Sequence, residues 1–286
     1  MTRETGRGGR SRLPRQLAAL SPQRRRFVYF AVGLVVVAVV AVLLPRVLNR
    51  TSEPAPSSYP AQDKPGAVLL VPGYGGNTQS LTTLATRLRA TGRQVIVVQM
   101  PDSGTGDLAE QAKVLNNDVE TALRSEPSVD VVGYSAGGVV TRLWTEDYDG
   151  PTKARRIVTF GSPYQGTTVA AAADALDPND CPVACQQLVP GSTLLTRIAE
   201  STLDGHPPWL SLWTTQDQTV MPPTSADLPG AMDVSLQSVC ADEQVSHGGL
   251  PTDPLVIGIV LQALGSAPMT APTAADCATL RALGNG

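Results

Sequence analysis

The sequence predicts an α/β fold: a mostly parallel central sheet with helices on both faces. Two observations predict it. Short apolar runs of strand length alternate with longer segments of helical period from residue 67 to residue 264. Strands that read as unbroken apolar runs are those covered on both faces by crossover helices. Composition agrees, since 42% hydrophobic residues against 16% charged ones can fill a core and exclude wholesale disorder.

The elements follow in order. Ala67–Val71 (AVLLV) is a buried strand, and residues 79–90 carry Leu81, Leu84 and Leu88 at helical spacing. Residues 94–99 (QVIVVQ) form a second strand. Residues 108–123 place Leu108, Ala112, Leu115, Val119 and Leu123 on one helical face. Residues 129–133 (VDVVG) are a strand, 137–148 a helix and 156–160 (RIVTF) a strand. A helix over 192–203, strands over 209–214 and 232–239, and a closing helix over 254–264 complete the set. In such sheets ligands bind beyond the carboxyl ends of the strands, so chemistry is sought in the loops that follow them.

The segments upstream have a different character. Residues 1–26 hold eight arginines and one acid, Glu4, a basic tail of net charge +7. From Thr51 onward 12 Lys and Arg face 24 Asp and Glu, a net −12, and an acidic body disfavours nucleic acid. Residues 27–44 (FVYFAVGLVVVAVVAVLL) are apolar without a charge, enough nearly to cross a hydrocarbon layer of roughly 30 Å. Arginines before this run predict a signal anchor with the N-terminus in the cytoplasm and the remainder outside. A cleaved signal peptide, or export through a twin-arginine signal at Arg24-Arg25-Arg26, is the alternative; Pro45-Arg46 follows the run where a cleavage site would need small residues. Residues 45–65 read as a Pro- and Ser-rich linker, and residues 66–286 as the extracytoplasmic domain.

All four cysteines, Cys181, Cys185, Cys240 and Cys277, follow the apolar run, as an oxidising compartment favours. Three pairings are open; the favoured one joins Cys181 to Cys185 in a local loop and Cys240 to Cys277. Metal binding is disfavoured, because no Cys-x-x-Cys pair exists and the chain has only two histidines.

Gly133-Tyr134-Ser135-Ala136-Gly137 stands between a strand and a helix, so Ser135 is the candidate nucleophile on a sharp turn that needs small neighbours. A serine hydroxyl needs a base. Of the two histidines, His247 follows the last strand whereas His206 precedes one, which selects His247. Asp217, just after strand 209–214, is the candidate acid, with Asp233 and Asp204 as fallbacks. The loop Val71-Pro72-Gly73-Tyr74-Gly75-Gly76 follows the first strand, so the Tyr74 and Ala136 N–H groups are the candidate oxyanion donors. No Lys-Ser/Thr pair follows those glycines, which argues against a phosphate cradle.

These residues resemble the secreted bacterial lipase/esterase branch of the α/β-hydrolase superfamily, from about Gly66 to Leu264. The landmarks are VPGYGGN, VDVVGYSAGG, VTFGSPYQGT, WTTQDQTVMPP and VSHGGLPTDPLV, in that order. One departure is Pro72-Gly73 where many relatives carry His-Gly. The resemblance implies hydrolysis of acyl esters or lipids through an acyl-enzyme, with no metal or organic cofactor. Acyl transfer to another alcohol, or a catalytically silent binding module, are the rival functions. An alanine-rich stretch from Val169 to Leu176 is either an apolar flap over the site or an ordinary packed helix.

Overall fold

The computed structural model describes residues 59–204 and 206–286, together with Gln23, Arg26 and Leu34. The basic tail, the apolar run 27–44 and the first part of the linker thus lie almost entirely outside the described residues. No helix among the described residues is long and apolar enough to cross a membrane.

Six parallel strands form one sheet in the order β2-β1-β3-β4-β5-β6. They are β1 (Ala67–Val71), β2 (Val95–Val97), β3 (Val129–Tyr134), β4 (Ala154–Phe160), β5 (Trp209–Trp213) and β6 (Met232–Ser235). The longer helices are α1 (Thr82–Ala90), α2 (Leu108–Ala122), α3 (Ala136–Asp147), α4 (Thr168–Leu176), α5 (Val183–Gln187), α6 (Thr193–Glu200), α7 (Pro254–Ala263) and α8 (Cys277–Asn285).

Alternation along the strands divides the core in two. Ala67, Leu69, Val71, Val129, Val131 and Ile157 face Leu108, Leu115, Val119, Val139, Leu143 and Trp144 of α2 and α3. Val68, Leu70, Val132, Val158, Leu210 and Leu212 face Leu84 and Leu88 of α1 and Val256, Ile259 and Val260 of α7. Successive strand side chains point to opposite faces, so a run such as AVLLV must be apolar throughout when both faces are covered.

The chain places β2 on one side of β1 and β3 on the other. The order reverses there, and in open α/β sheets the ligand site lies beyond the carboxyl ends of the strands at such a reversal. At the opposite edge the charges are buried and paired. Asp130 is fully buried and takes Arg155 Nε at 3.0 Å and Arg93 Nη1 at 2.7 Å. Arg156 donates to the carbonyls of Ala263 (2.6 Å) and Gly265 (2.9 Å) at the end of α7.

Cys181–Cys185 and Cys240–Cys277 are disulfides, a state suited to an extracellular compartment. The second ties the turn after β6 to α8. The sole group of potential metal ligands among the described residues, Cys240, Asp242 and Cys277, contains both sulfurs of that bond and so offers no thiolate.

Two elements differ from the sequence reading. The strand expected over 232–239 stops at Ser235, whose hydroxyl accepts from Ser238 N at 3.2 Å and caps a helical turn, Leu236–Val239. The helix α8 lies beyond the last helix that hydrophobic period disclosed.

Candidate active site

Ser135 joins β3 to α3 with φ 54° and ψ −127°, a backbone region that side chains rarely occupy and that costs about 1–3 kcal/mol. Its N–H donates to Phe160 O at 2.9 Å, which ties the turn to β4. The neighbours must be small because backbone crowds them. A Cβ on Gly137 would stand 2.4 Å from Val71 O and 2.5 Å from Pro72 O. A Cβ on Gly73 would stand 2.9 Å from the Ser135 Cβ, so the loop after β1 lies directly against the serine. Tyr74 is the next residue of that loop. Ala136 opens α3, so its N–H is among those that a helix leaves without an internal acceptor.

His247 begins the 3-10 turn His247–Thr252 after β6, and Asp217 lies in the loop after β5. The structure brings all three side chains together. His247 Nε2 is 2.9 Å from Ser135 Oγ, and His247 Nδ1 is 2.7 Å from Asp217 Oδ2. Ser135, His247 and Asp217 are buried, at 8%, 7% and 4% exposure. The other Asp217 oxygen accepts from Thr219 N and Val220 N, both at 2.8 Å, so the carboxylate has one oxygen fixed by backbone and one turned to the imidazole. With Nδ1–H donating to that carboxylate, Nε2 is left to accept from the serine hydroxyl.

Three supporting residues lie within the quoted landmarks, but the sequence assigned them no role. The Tyr134 hydroxyl donates to His247 O at 3.1 Å, and the two rings lie 5.3 Å apart. Burial, and then the Asp217 charge, push the Tyr134 pKa up to about 12, so its hydroxyl remains a donor. The Thr214 hydroxyl donates to Val245 O at 2.8 Å and links the acid loop to the histidine loop. Thr167 Oγ1 donates to Thr219 O at 2.7 Å and accepts from Met221 N at 3.0 Å, fastening the start of α4 to the acid loop.

The fallback residues lie elsewhere. His206 precedes β5, its Nδ1 is buried without a partner among the described residues, and burial followed by Arg142 lowers its pKa. Asp233 lies within β6, accepts from Leu228 N at 3.0 Å, and burial raises its pKa to about 6. Asp204 accepts from the Thr202 hydroxyl at 3.0 Å.

Ser135 opens onto a cavity of about 230 Å³ whose walls include Tyr74, Val169, Ala170, Ala173, Cys185 and Val220. The alanine-rich stretch is therefore helical, as α4, with only Ala170 buried and Leu176 88% exposed. It walls the cavity, and the Cys181–Cys185 loop closes beside it.

Comparison with known proteins agrees with this architecture. The fold is similar to Aspergillus fumigatus lipase B, with a TM-score of 0.59 and 16% identity over 77% of this chain and 61% of that one. Bacillus licheniformis lipase BlEst2 in its mature form is similar at a TM-score of 0.58 and 15% identity, over 72% and 94% of the two chains. The chain has the α/β-hydrolase fold. A structure of the metagenome-derived lipolytic enzymes LipS and LipT is also similar, with a TM-score of 0.55 and 17% identity over 73% and 98%. At these identities the likeness is one of fold, and the chain spans less than two thirds of lipase B. The palmitoyl protein thioesterase family model matches residues 67–204, a span that holds Ser135 and ends before Asp217 and His247. No curated protein sequence matches the chain.

Proposed function

We propose that the chain is a serine hydrolase of carboxylic esters, with Ser135 as nucleophile, His247 as base and Asp217 as the group that orients it. The observation that carries the reading is the continuous line from Asp217 Oδ2 through His247 to Ser135 Oγ, 2.7 and 2.9 Å per link, beside an apolar cavity. In the first half-reaction Ser135 Oγ attacks the acyl carbonyl and His247 Nε2 takes its proton. The carbonyl oxygen becomes an oxyanion, for which the Tyr74 and Ala136 N–H groups are the proposed donors. The tetrahedral adduct then collapses, the leaving alcohol takes the proton from His247, and an acyl-serine remains. Water attacks that ester with His247 again as base, releasing the acid and restoring Ser135.

Nothing in these steps calls for a metal or an organic cofactor. Thioesters are a second substrate class, favoured by the thioesterase family match, and they require only a thiol in place of the alcohol. For location, the arginine-flanked apolar run 27–44 is proposed as a membrane anchor that holds the domain outside the cell, a setting that suits the two disulfides.

The test compares the full chain in detergent with its Ser135→Ala variant on a neutral butyrate ester and on a palmitoyl thioester. Loss of at least about 10³-fold in the variant is expected. Equal rates in the two proteins would refute the assignment.

A further inference from the structure

The charges of the domain are segregated along the strand direction. Between residues 157 and 280 the sequence contains one cation, Arg197, and none occurs between residues 94 and 112. Those stretches supply the loops that follow β2, β4, β5 and β6, the edge on which Ser135 opens. Arg197 is held by both oxygens of Asp147, at 2.7 and 3.0 Å. Arg93, Arg155 and Arg156 are instead engaged at the opposite edge, on Asp130 and on the carbonyls that end α7.

The same loops carry carboxylates. Asp102 and Asp107 follow β2, while Asp174, Asp177 and Asp180 lie in and after α4. Among the described residues none of these five is in an ion pair. Two contacts hold the loops side by side: Ala184 N donates to Thr105 O at 3.1 Å, and Leu108 N donates to Gln187 Oε1 at 2.8 Å. Asp180 is exposed and lines the cavity that also contains Ser135. Among the described residues, a substrate therefore meets unpaired negative charge in the wall of the cavity and no free positive charge to offset it.

We infer that the site selects acyl compounds whose leaving group is neutral or cationic and rejects anionic acyl carriers. The inference rests on the serine hydrolase reading and narrows its substrate class. A cleft lined by one sign of charge concentrates its field and changes encounter rates by about 10- to 10³-fold. The effect fades with salt, because the screening length falls from about 30 Å at 0.01 M to about 3 Å at 1 M. Acyl-phosphates and acyl groups on phosphorylated carriers are thus poor substrates, and neutral glycerides or choline-type esters are good ones.

The experiment uses the full chain in an uncharged detergent and three butyrate esters of one acyl group: those of choline, of its uncharged isostere 3,3-dimethylbutanol, and of 2-hydroxyethanesulfonate. At an ionic strength of about 0.01 M, kcat/KM for the choline ester should exceed that for the sulfonate by at least about 10-fold, with the neutral ester between. The gap should shrink several-fold near 1 M salt, and Asp180→Asn should narrow it at low salt. Hydrolysis of the neutral ester with equal rates for the two charged ones, or a preference for the sulfonate, overturns the charge selection alone. Failure to hydrolyse even the neutral ester overturns the hydrolase reading and the selection with it.

Discussion

The substitution Asp217→Asn tests the division of labour in the site. The amide oxygen of the new side chain can keep both backbone bonds, from Thr219 N and Val220 N, each 2.8 Å in the parent. The amide nitrogen then faces His247 Nδ1, where the carboxylate oxygen stood at 2.7 Å. Two donors cannot share that contact, so Nδ1 must become the acceptor and the proton moves to Nε2. There it points at Ser135 Oγ, and the imidazole can no longer take the serine proton. The imidazolium of the transition state also loses its counter-charge. A unit charge pair at 2.7 Å contributes roughly 6 kcal/mol at an effective dielectric of about 20. That corresponds to between four and five powers of ten, at about 1.36 kcal/mol for each. We expect kcat on a neutral ester to fall about 10⁴-fold, with KM within a few-fold and the thermal unfolding midpoint little changed. A folded variant within about 10-fold of the parent would refute the reasoning, because it would mean that Asp217 neither sets the tautomer nor stabilises the cation.

Acyl length should show a plateau. At the roughly 30 Å³ that a water molecule takes in the liquid, a cavity of about 230 Å³ holds roughly seven or eight carbons. Across p-nitrophenyl esters kcat/KM should rise by up to about 4-fold per methylene, the equivalent of ~0.8 kcal/mol, and level off near octanoate. Ala173→Leu should move the plateau to shorter chains, and an unchanged profile would separate α4 from the acyl group. Asp130→Ala leaves Arg93 and Arg155 without their shared buried carboxylate and should cost about 3–5 kcal/mol in urea unfolding; a loss below about 1 kcal/mol contradicts the pairing. For His206 the folded pKa lies below its ordinary 6.5, so the unfolded chain binds the proton more readily. Stability is therefore intact above pH 6.5 and declines as pH falls through 6.5 toward the folded value. His206→Gln should flatten that slope, and an identical slope in both proteins would rule out His206 as its source.

The sequence disclosed the sheet and the candidate site residues more fully than the contacts that support them. AVLLV reads as a doubly buried strand because no polar position interrupts it, VDVVG and RIVTF because apolar residues occupy both faces, and the sheet is covered on both faces. Scarcity of histidine singled out His247, and chain order singled out Asp217, which the structure brings within hydrogen-bonding distance of each other. The end of β6 was not legible. Residues 232–239 (MDVSLQSV) alternate apolar and polar residues as far as Gln237, as a half-buried strand does, and the Ser235 cap that turns the chain into a helix depends on three-dimensional geometry. The role of α4 as a cavity wall was open for a similar reason: alanine favours helix anywhere and says nothing about which face is covered. The contacts of Tyr134, Thr167 and Thr214 join loops far apart in sequence, so no local pattern announces them. The pairing of Asp130 with Arg93 and Arg155 also depends on strand register, which composition does not encode.

The central claim is that Ser135 is an activated nucleophile. Treating the folded full chain with a fluorophosphonate, measuring the intact mass and mapping the modified peptide tests it most directly. A single adduct on Ser135 is expected, absent in Ser135→Ala and strongly slowed in His247→Ala. No adduct on the folded protein, or an adduct on another residue, would contradict it.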